Sequence, residues 1–391
     1  MAGEVGAVGA VGAVGAVGAV GAVGAVGAVG AVGAVGAVGA GGYGSPNATG
    51  ALVLHRDGIV GAWDPKAVSV PPLPAFDAAD PARSEAWVRL IAIEMDLLAQ
   101  LRFDVAKPTF AGGAVATRDA FQMAYLAPGA DGRFDAVPIA AIARPKRETF
   151  AAQLDFVERY VDLRAERAGE ILAQVSVPYP FWSSVVNFHP DRHPRTAELL
   201  DVSLRMARAI ELRFKHALGC PRPAELSPQV QPMLLTPGHS TLPSGHSTEA
   251  HLIALLLERL IGPGSGWGPM LRDQLVRQAG RIAVNRTVAG LHYPLDSAAG
   301  CLLGTALGEF FLVRCGASAE VVQIAFDGEA YPDDEDFLPG RLRTAYDEDG
   351  LPDYATAVRT AAPEGIVSPL LAWLWERARA EFPQAASGRP A

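Results

Sequence analysis

Residues 5–40 consist of twelve consecutive Val-Gly-Ala units, and this repeat limits how much of the 391-residue chain can fold. Valine, glycine and alanine offer little side-chain surface to pack, and glycine loses more conformational freedom on ordering than any other residue. Glycine at every third position is shared with collagen, but the repeat lacks the proline that a triple helix requires. The composition predicts a disordered, low-complexity leader at 1–44, so folded structure is expected from residues 45–391.

Several stretches of the sequence bear on membrane insertion and localisation. A third of the repeat is glycine, which suits a spanning helix poorly, and the first four residues contain Glu4 but no basic residue, unlike a signal peptide. Apolar stretches at 251–262 and 297–313 contain charged residues and are shorter than the ~20 residues that a span requires. We therefore expect them to be buried helices. The three cysteines are too few for a disulfide framework. These features predict a soluble, cytoplasmic protein without a membrane span.

The distribution of charge argues against a nucleic-acid partner. The chain has a formal net charge of −9 and contains no long run of lysine or arginine. The expected partners are therefore small molecules. No feature of the sequence defines an oligomeric state.

Apolar residues recur at helical spacing over much of the chain after the leader. The predicted helices span 84–103, 148–174, 195–218, 244–262, 268–284, 294–314 and 366–381. Residues 104–147 carry several Gly and Pro turn signals, and residues 175–194 contain too many prolines to form one helix.

No sustained two-residue alternation appears, so the sequence predicts an all-α fold, a helical bundle. Three regions follow the leader: an N-terminal helical region with loops at 45–194, a core at 195–315, and a C-terminal helical extension at 316–391. The core attracts attention because its polar residues cluster at the predicted helix ends.

Three clusters of polar residues lie at the predicted ends of the core helices. The first is Lys215 with Arg222-Pro223, the second is Pro243-Ser244-Gly245-His246, and the third is Arg286 with His292 and Asp296.

These residue types suit a tetrahedral oxyanion. A lysine and two arginines supply positive charge and many hydrogen-bond donors, and one arginine can donate to two oxygens at once. Ser244 stands at an N-cap position, where the backbone N–H groups of the first helical turn face an anion at the positive end of the helix dipole. Gly245 is expected to let the backbone approach that anion because it has no Cβ.

The two histidines divide naturally between two roles. Asp296 lies four residues after His292, with Pro294 suited to the first helical turn, so its carboxylate can hold one ring nitrogen and raise the basicity of the other. His246 is then free to act as a proton donor.

The order and spacing of the three clusters resemble the superfamily that joins bacterial acid phosphatases, type 2 phosphatidic acid phosphatases and vanadium-dependent haloperoxidases. The pattern of that family is Lys-x6-Arg-Pro, then Pro-Ser-Gly-His, then Ser-Arg-x5-His-x3-Asp. All three motifs occur here between 195 and 315, with one departure, because Asn285 replaces the serine before the second arginine. This departure affects a supporting hydrogen bond and no charged or nucleophilic residue.

The resemblance implies a helical-bundle fold and a role for each matching residue. His292 would be the nucleophile towards phosphorus, or the axial ligand of vanadium, and His246 would be the general acid and base. The equatorial oxygens would be bound by Lys215, Arg222, Ser244, Gly245 and Arg286.

The motifs leave three functions open. The first is a soluble, metal-independent phosphomonoesterase that needs no cofactor and forms a phosphohistidine, favoured by the compact spacing of His246 and Arg286. The second is a haloperoxidase with vanadate as cofactor and halide and hydrogen peroxide as substrates, since the loop 228–239 resembles soluble haloperoxidase-like proteins. The third is a non-catalytic anion-binding scaffold, which would be expected to carry a more damaged motif.

Other candidate residues favour structural interpretations. His189 and His193 are four residues apart, but Pro190 and Pro194 prevent a shared helical face, which argues against a metal site. His239 either lines the mouth of the pocket or is an ordinary loop residue. The acidic stretch 333–336 lacks the spacing of a calcium loop and is expected to be solvated.

Overall fold

The computed structural model describes residues 80–382, apart from 111–112, 115–117, 130–131, 177–178, 263–267 and 349, together with residues 52, 55–56, 58–60, 69 and 72–75. The leader predicted at 1–44 lies outside the described residues. The chain divides into two units, Met1–Ala79 and Asp80–Ala391, and all the helices and strands named below belong to the second.

The helices are numbered in chain order within the second unit. They are α1 Ala86–Leu98, α2 Arg147–Arg159, α3 Arg164–Ala173, α4 Tyr179–Val186, α5 Pro194–Leu218, α6 Pro223–Leu226, α7 Gly245–Ile261, α8 Gly268–Val288, α9 Pro294–Arg314, α10 Pro339–Asp347 and α11 Pro369–Arg379. The strands are β1 Leu101–Ala106, β2 Thr109–Phe110, β3 Gly113–Ala114, β4 Ala120–Pro128, β5 Phe134–Ala143, β6 Glu320–Asp327 and β7 Ala355–Ala361.

The predicted all-α fold is wrong, because five strands form one mixed sheet. Their order is β1-β4-β5-β6-β7, and β2 pairs separately with β3. Strands β5 and β6 are parallel, whereas the other neighbours in the five-stranded sheet are antiparallel. The protein is therefore helix-rich with a mixed sheet.

The central strands β4 and β6 are hard to recognise from periodicity because their residues are buried or half-buried along most of their length. In β6 the residues between its two ends are all buried, so its sequence is an almost continuous apolar run. Buried and half-buried residues alternate in β4 without an exposed polar face over most of its length. Such strands lack the alternation of apolar and polar residues that identifies a half-buried strand.

The predicted helices of the core agree closely with the structure. The predictions at 195–218, 244–262 and 294–314 correspond to α5, α7 and α9, with ends that differ by one residue at most. The prediction at 148–174 resolves into α2, a 3₁₀ turn and α3. The proposed division at 45–194, 195–315 and 316–391 stays a prediction.

Helix α9 lies at the centre of the fold, and every residue of it is buried. Among the described residues it is the one helix long and apolar enough to cross a membrane, a property it shares with core helices of soluble proteins. The cytoplasmic localisation stays a prediction.

Glycines on α9 allow close contact with α7. A Cβ at Gly300 would lie 2.6 Å from the carbonyl oxygen of Ser244, and one at Gly304 would lie 2.3 Å from that of Thr248. The start of α7 therefore meets the start of α9, where the backbone N–H of Ser244 donates to the carbonyl of Asp296 at 2.9 Å. This packing joins the second and third motifs.

Candidate functional site

The ends of several helices bring the sequence motifs together. Lys215 lies in the last turn of α5, Ser244 is the N-cap of α7, Arg286 lies in the last turn of α8, and Asp296 lies in the first turn of α9. All four side chains are buried. Arg222 is also buried, at the N-cap of the short helix α6.

His292 is held by hydrogen bonds to one of its ring nitrogens. Its Nδ1 lies 3.1 Å from Oδ2 of Asp296 and 3.1 Å from Oγ1 of Thr241. The hydroxyl of Thr241 and the backbone N–H of Tyr293 donate to the same carboxylate oxygen. A carboxylate accepts, so Nδ1 carries the proton and the lone pair of the imidazole is on Nε2. Nε2 has no hydrogen-bond partner among the described residues.

Lys215 shapes the loop that precedes the second motif. Its Nζ donates to the carbonyl oxygens of Thr241, at 2.9 Å, and of Pro243. Burial lowers the pKa of Lys215, while the carboxyls of Glu211 and Asp296 oppose that shift. The ammonium group is therefore fixed against the backbone of Thr241, whose hydroxyl lies beside His292.

Arg222 is fully engaged by the loop segments around the site. Its Nε donates to the carbonyl of His239 and its Nη1 to that of Leu291, each at 2.9 Å, and its Nη2 lies 3.2 Å from Nδ1 of His239. Although His239 is exposed overall, partial loss of solvent around its ring lowers its pKa, and the charges of Lys215 and Arg222 act in the same direction. The structure thus brings this loop histidine against Arg222.

Arg286 retains hydrogen-bond donors that have no partner among the described residues. Its Nη2 donates to the side-chain oxygen of Gln174 at 3.1 Å and to the carbonyl of Ile171 at 3.2 Å. Its Nε and Nη1 are buried and have no hydrogen-bond partner among the described residues. Burial lowers the pKa of Arg286 to about 10, which still leaves it charged at neutral pH. Buried unpaired donors are costly, so an acceptor at this position would be stabilising.

His246 is oriented through the backbone of Gln174. Its Nε2 lies 3.0 Å from the Gln174 carbonyl oxygen, which can only accept, so Nε2 carries the proton and Nδ1 the lone pair. Burial, together with the charges of Arg286 and His292, lowers the pKa of His246 to about 3. The neutral imidazole is therefore favoured, and a bound anion would raise this pKa by offsetting the positive charge.

Gly245 also has a packing role, which the sequence did not indicate. A Cβ at this position would lie 2.5 Å from Oε1 of Glu211, so the glycine makes room for a buried carboxyl group. Burial raises the pKa of Glu211, and its Oε2 has no hydrogen-bond partner among the described residues. A role for Gly245 in binding an anion stays a prediction.

Asn285, the one departure from the family pattern, ties α8 to α3. Its Nδ2 donates to Glu170 at 2.9 Å and to Gln174 at 3.0 Å, and its Oδ1 accepts from Arg167 at 3.0 Å. Gln174 accepts from Arg286 through the same side-chain oxygen. The asparagine thereby supports Arg286 indirectly.

The buried charges of the site are predominantly positive. Burial is the largest influence on His292 and lowers its pKa, and Lys215, Arg222 and Arg286 lower it further. Burial raises the pKa of Asp296 to about 6, although its hydrogen bonds act in the opposite direction. An oxyanion would compensate these buried cations and meet the spare donors of Arg286.

The remaining candidates lie apart from this constellation. His189 and His193 are joined by a backbone hydrogen bond in a turn before α5, and no group of three or more His, Cys, Asp or Glu residues that could hold a metal occurs among the described residues. The acidic stretch 333–336 is held at one residue by a hydrogen bond, since the hydroxyl of Tyr160 donates to Asp336 at 2.8 Å.

Three site residues were missed by the sequence analysis: Thr241, Gln174 and Glu211. Glu211 precedes Lys215 by one helical turn, so the i,i+4 spacing could have revealed it. Thr241 lies two residues before the second motif and carries a hydroxyl, which is a weak signal. Gln174 lies in a distant segment, and no local pattern indicates its contacts.

The similarity of this chain to known proteins is found in structure and not in sequence. No protein-family model and no curated protein sequence matches this chain. Among solved structures, part of the chain is similar to a transmembrane PAP2-type phosphatidylglycerolphosphate phosphatase from Bacillus subtilis, with a TM-score of 0.34 and 16% identity. The match covers 42% of this chain and 84% of that chain. The similarity is distant, so the motif resemblance rests on the motif residues themselves.

Proposed function

We propose that this protein is a metal-independent phosphomonoesterase that works through a phosphohistidine at His292. The observation that carries the proposal is that three buried cations, Lys215, Arg222 and Arg286, all act on the charge of His292, and that Arg286 retains two unpaired donors. A phosphate ester would supply the missing negative charge and the missing acceptors.

In the first step, Nε2 of His292 attacks phosphorus and the bond from phosphorus to the ester oxygen breaks. The departing oxygen takes a proton from His246, which must first be protonated on Nδ1. The negative charge of the bound ester raises the pKa of His246 and so favours that state. Asp296 stabilises the positive charge that His292 acquires.

In the second step, water cleaves the phosphohistidine. Nδ1 of His246 accepts a proton from the water, the resulting hydroxide bonds to phosphorus, and the bond from phosphorus to Nε2 breaks. Inorganic phosphate leaves, and His246 is again protonated for the next cycle. Lys215, Arg222 and Arg286 act as fixed charges that stabilise the equatorial oxygens in both steps.

The second candidate is a vanadium-dependent haloperoxidase. The donors proposed for phosphate also fit vanadate, with His292 as its ligand, and the bound vanadate would supply the activation of hydrogen peroxide for halide oxidation. The loop 228–239, on which the haloperoxidase resemblance rests, lies against the site through the contacts of His239 with Arg222. A non-catalytic anion-binding scaffold is the third candidate.

Paired assays on one preparation separate these functions. We expect hydrolysis of p-nitrophenyl phosphate that persists in EDTA, strong inhibition by orthovanadate, which mimics the trigonal-bipyramidal transition state, and no bromination with peroxide after vanadate loading. Peroxide-dependent bromination would favour the haloperoxidase. Vanadate binding without either activity would favour the scaffold.

Two further results bear directly on the charge arrangement. Arg286→Ala is expected to weaken vanadate binding by ~3–5 kcal/mol, the usual consequence of removing one partner of a buried charge pair. Activity that vanishes in EDTA and returns with magnesium or zinc would contradict the proposal, because the fixed cations would then not be sufficient.

A further inference from the structure

A cavity of about 400 Å³ adjoins the candidate site on the side of His246. Its walls include the apolar side chains of Trp182, Ile253 and Ile282, and the ion pair of Arg208 with Glu249 lies at its edge. His246 itself contributes to the wall. The volume lies within the range that small-molecule sites occupy, ~300–1,000 Å³.

We infer that this cavity binds the alcohol portion of the phosphate ester, and that this portion is uncharged and largely apolar. The inference rests on the proposed function and adds a substrate class to it. It assigns a binding role to residues outside the three motifs.

The position of His246 connects the cavity with the reacting atoms. The residue belongs to the second motif, and the charges of Arg286, His292 and Lys215 all reach its ring. The ester oxygen of a bound substrate must approach His246, since that histidine is its proton donor. The group attached to this oxygen then extends into the space that His246 borders.

The charge of the cavity wall selects against an ionic alcohol. Arg208 and Glu249 are joined by two hydrogen bonds, at 2.9 and 3.3 Å, so their charges largely compensate each other. His246 is protonated once the ester is bound, and the negative charge of the phosphate then compensates that positive charge. A charged alcohol would lose water without gaining an opposite charge, whereas an apolar one gains contacts with Trp182, Ile253 and Ile282.

Two unpaired donors indicate where a polar atom of the alcohol is tolerated. The indole N–H of Trp182 and the side-chain amide nitrogen of Gln174 are buried and have no acceptor among the described residues. Both residues contribute to the cavity wall. A hydroxyl, ether or carbonyl oxygen on an otherwise apolar alcohol would meet one of these donors.

Two other cavities among the described residues lack this relation to the site. One of about 330 Å³ lies between α2 and the turn at 227–230, and one of about 80 Å³ lies near Phe337 and Tyr354. Neither includes a residue of the three motifs. Of these three cavities in the described part of the chain, the one beside His246 is therefore the one whose occupant can reach a residue of the motifs.

A filling substitution tests the inference. Ala250, on α7 one turn after His246, lines the cavity, and Ala250→Leu places a larger side chain in it. We expect the ratio of kcat/KM for 1-naphthyl phosphate to that for methyl phosphate to fall at least about tenfold, since small changes in an apolar pocket produce discrimination of this order. The control is Ala345→Leu, which fills the separate cavity near Phe337 and should leave the ratio unchanged.

The outcomes separate this inference from the proposed function. An unchanged ratio in Ala250→Leu, with vanadate still bound, would overturn the substrate assignment and leave the phosphatase intact. If that variant fails to fold, Ile253→Ala provides the test, because it enlarges the cavity. The ratio of kcat/KM for an aryl ester larger than 1-naphthyl phosphate to that for methyl phosphate should then rise. An unchanged ratio would overturn the inference. If the wild-type protein hydrolyses no phosphate ester, the proposed function fails. Binding of 1-naphthol to the wild-type protein then tests the cavity by itself, and absence of binding would overturn the cavity assignment as well.

Discussion

The ends of the core helices and the five-stranded sheet bury very different side chains. At the helix ends the buried residues include Lys215, Arg222, Arg286 and Asp296, held by a network of hydrogen bonds. In the sheet the buried residues are almost all apolar or small, such as Met123, Ile139 and Val321. Buried charge is costly without partners, whereas buried apolar surface is stabilising wherever it packs.

This difference explains why the two regions constrain the sequence differently. At the helix ends each donor or charge needs a particular partner, so residue type and spacing are both specified. In the sheet many combinations of apolar residues provide equivalent packing. Substitutions should therefore affect chemistry in the first region and, at most, stability in the second.

The largest effect is expected at His292. His292→Ala removes the proposed nucleophile and should lower kcat for p-nitrophenyl phosphate by at least about 10⁴-fold, with loss of tight vanadate binding. His216→Ala, an exposed histidine on α5, is the matched control and should keep full activity. Retention of vanadate affinity in His292→Ala would show that the role of this residue has been misassigned.

His246→Ala should slow turnover while vanadate remains bound. A proton donor typically contributes about 10²–10⁴-fold in rate. This variant distinguishes proton transfer from anion binding within the same region.

A smaller effect is expected where the helix ends depend on packing. Gly304→Ala would place a Cβ 2.3 Å from the backbone of Thr248, forcing α7 and α9 apart. Overpacking of this kind costs about 1–3 kcal/mol in the free energy of unfolding, measurable by urea denaturation. Phosphatase activity should also fall, because the backbones of Ser244 and Asp296 are hydrogen-bonded across the same contact between α7 and α9.

Gly340 in α10 supplies the control for that substitution. No atom lies within 4 Å of a Cβ at Gly340, so Gly340→Ala should not destabilise the protein. Equal destabilisation by both variants would mean that loss of glycine, and not contact with Thr248, is responsible.

The pH dependence of the free energy of unfolding should report the buried histidine of α7, His251. Burial lowers the pKa of His251 from 6.5 to about 4, so the unfolded chain takes up a proton below pH 6.5 that the folded chain excludes. Stability from this residue is therefore lost as pH falls, by about 1–2 kcal/mol between about pH 7 and about pH 5.

Comparison with His251→Gln isolates this contribution. Asp296 and Glu211 have raised pKa values and shift stability the opposite way, since the folded protein binds their protons more readily. Both remain in the variant, so the difference between the two pH profiles reports His251. Parallel profiles would contradict the assignment.

The sequence predicted the helix ends better than the sheet for physical reasons. Amphipathic periodicity, together with Gly219 after α5 and Ser244 before α7, marks where those helices stop and start. Strand β6 carries no such mark, because an apolar run buried on both faces can belong to a helix or a strand. Pairing of β5 with β6 joins residues far apart in the chain, which no local pattern encodes.

Within the candidate site the same distinction applies. Residues that lie in contiguous motifs, such as Arg286 and His292, were predicted together, and their roles stay predictions. Gln174 was not predicted, because its contact with His246 spans 72 residues and arises only when α3 packs near α7 and α8. Glu211 could have been recognised from its i,i+4 spacing to Lys215, whereas Thr241 lies outside the motifs and its hydroxyl is a weak signal.

The smallest effect is expected for a buried amide in the sheet. Gln323 in β6 is buried, its Nε2 donates to Thr360 at 3.2 Å, and its Oε1 has no partner among the described residues. Because the amide already leaves one group unpaired, Gln323→Leu should change the free energy of unfolding by less than about 1 kcal/mol and leave vanadate affinity unchanged. The matched substitution in the other region is Asn285→Leu, which removes three hydrogen bonds that connect α8 with α3. It should destabilise by about 1–3 kcal/mol and weaken vanadate binding through Arg286. Equal effects of the two variants on vanadate affinity would mean that the sheet and the helix ends are coupled, and that the contrast between the two regions does not hold.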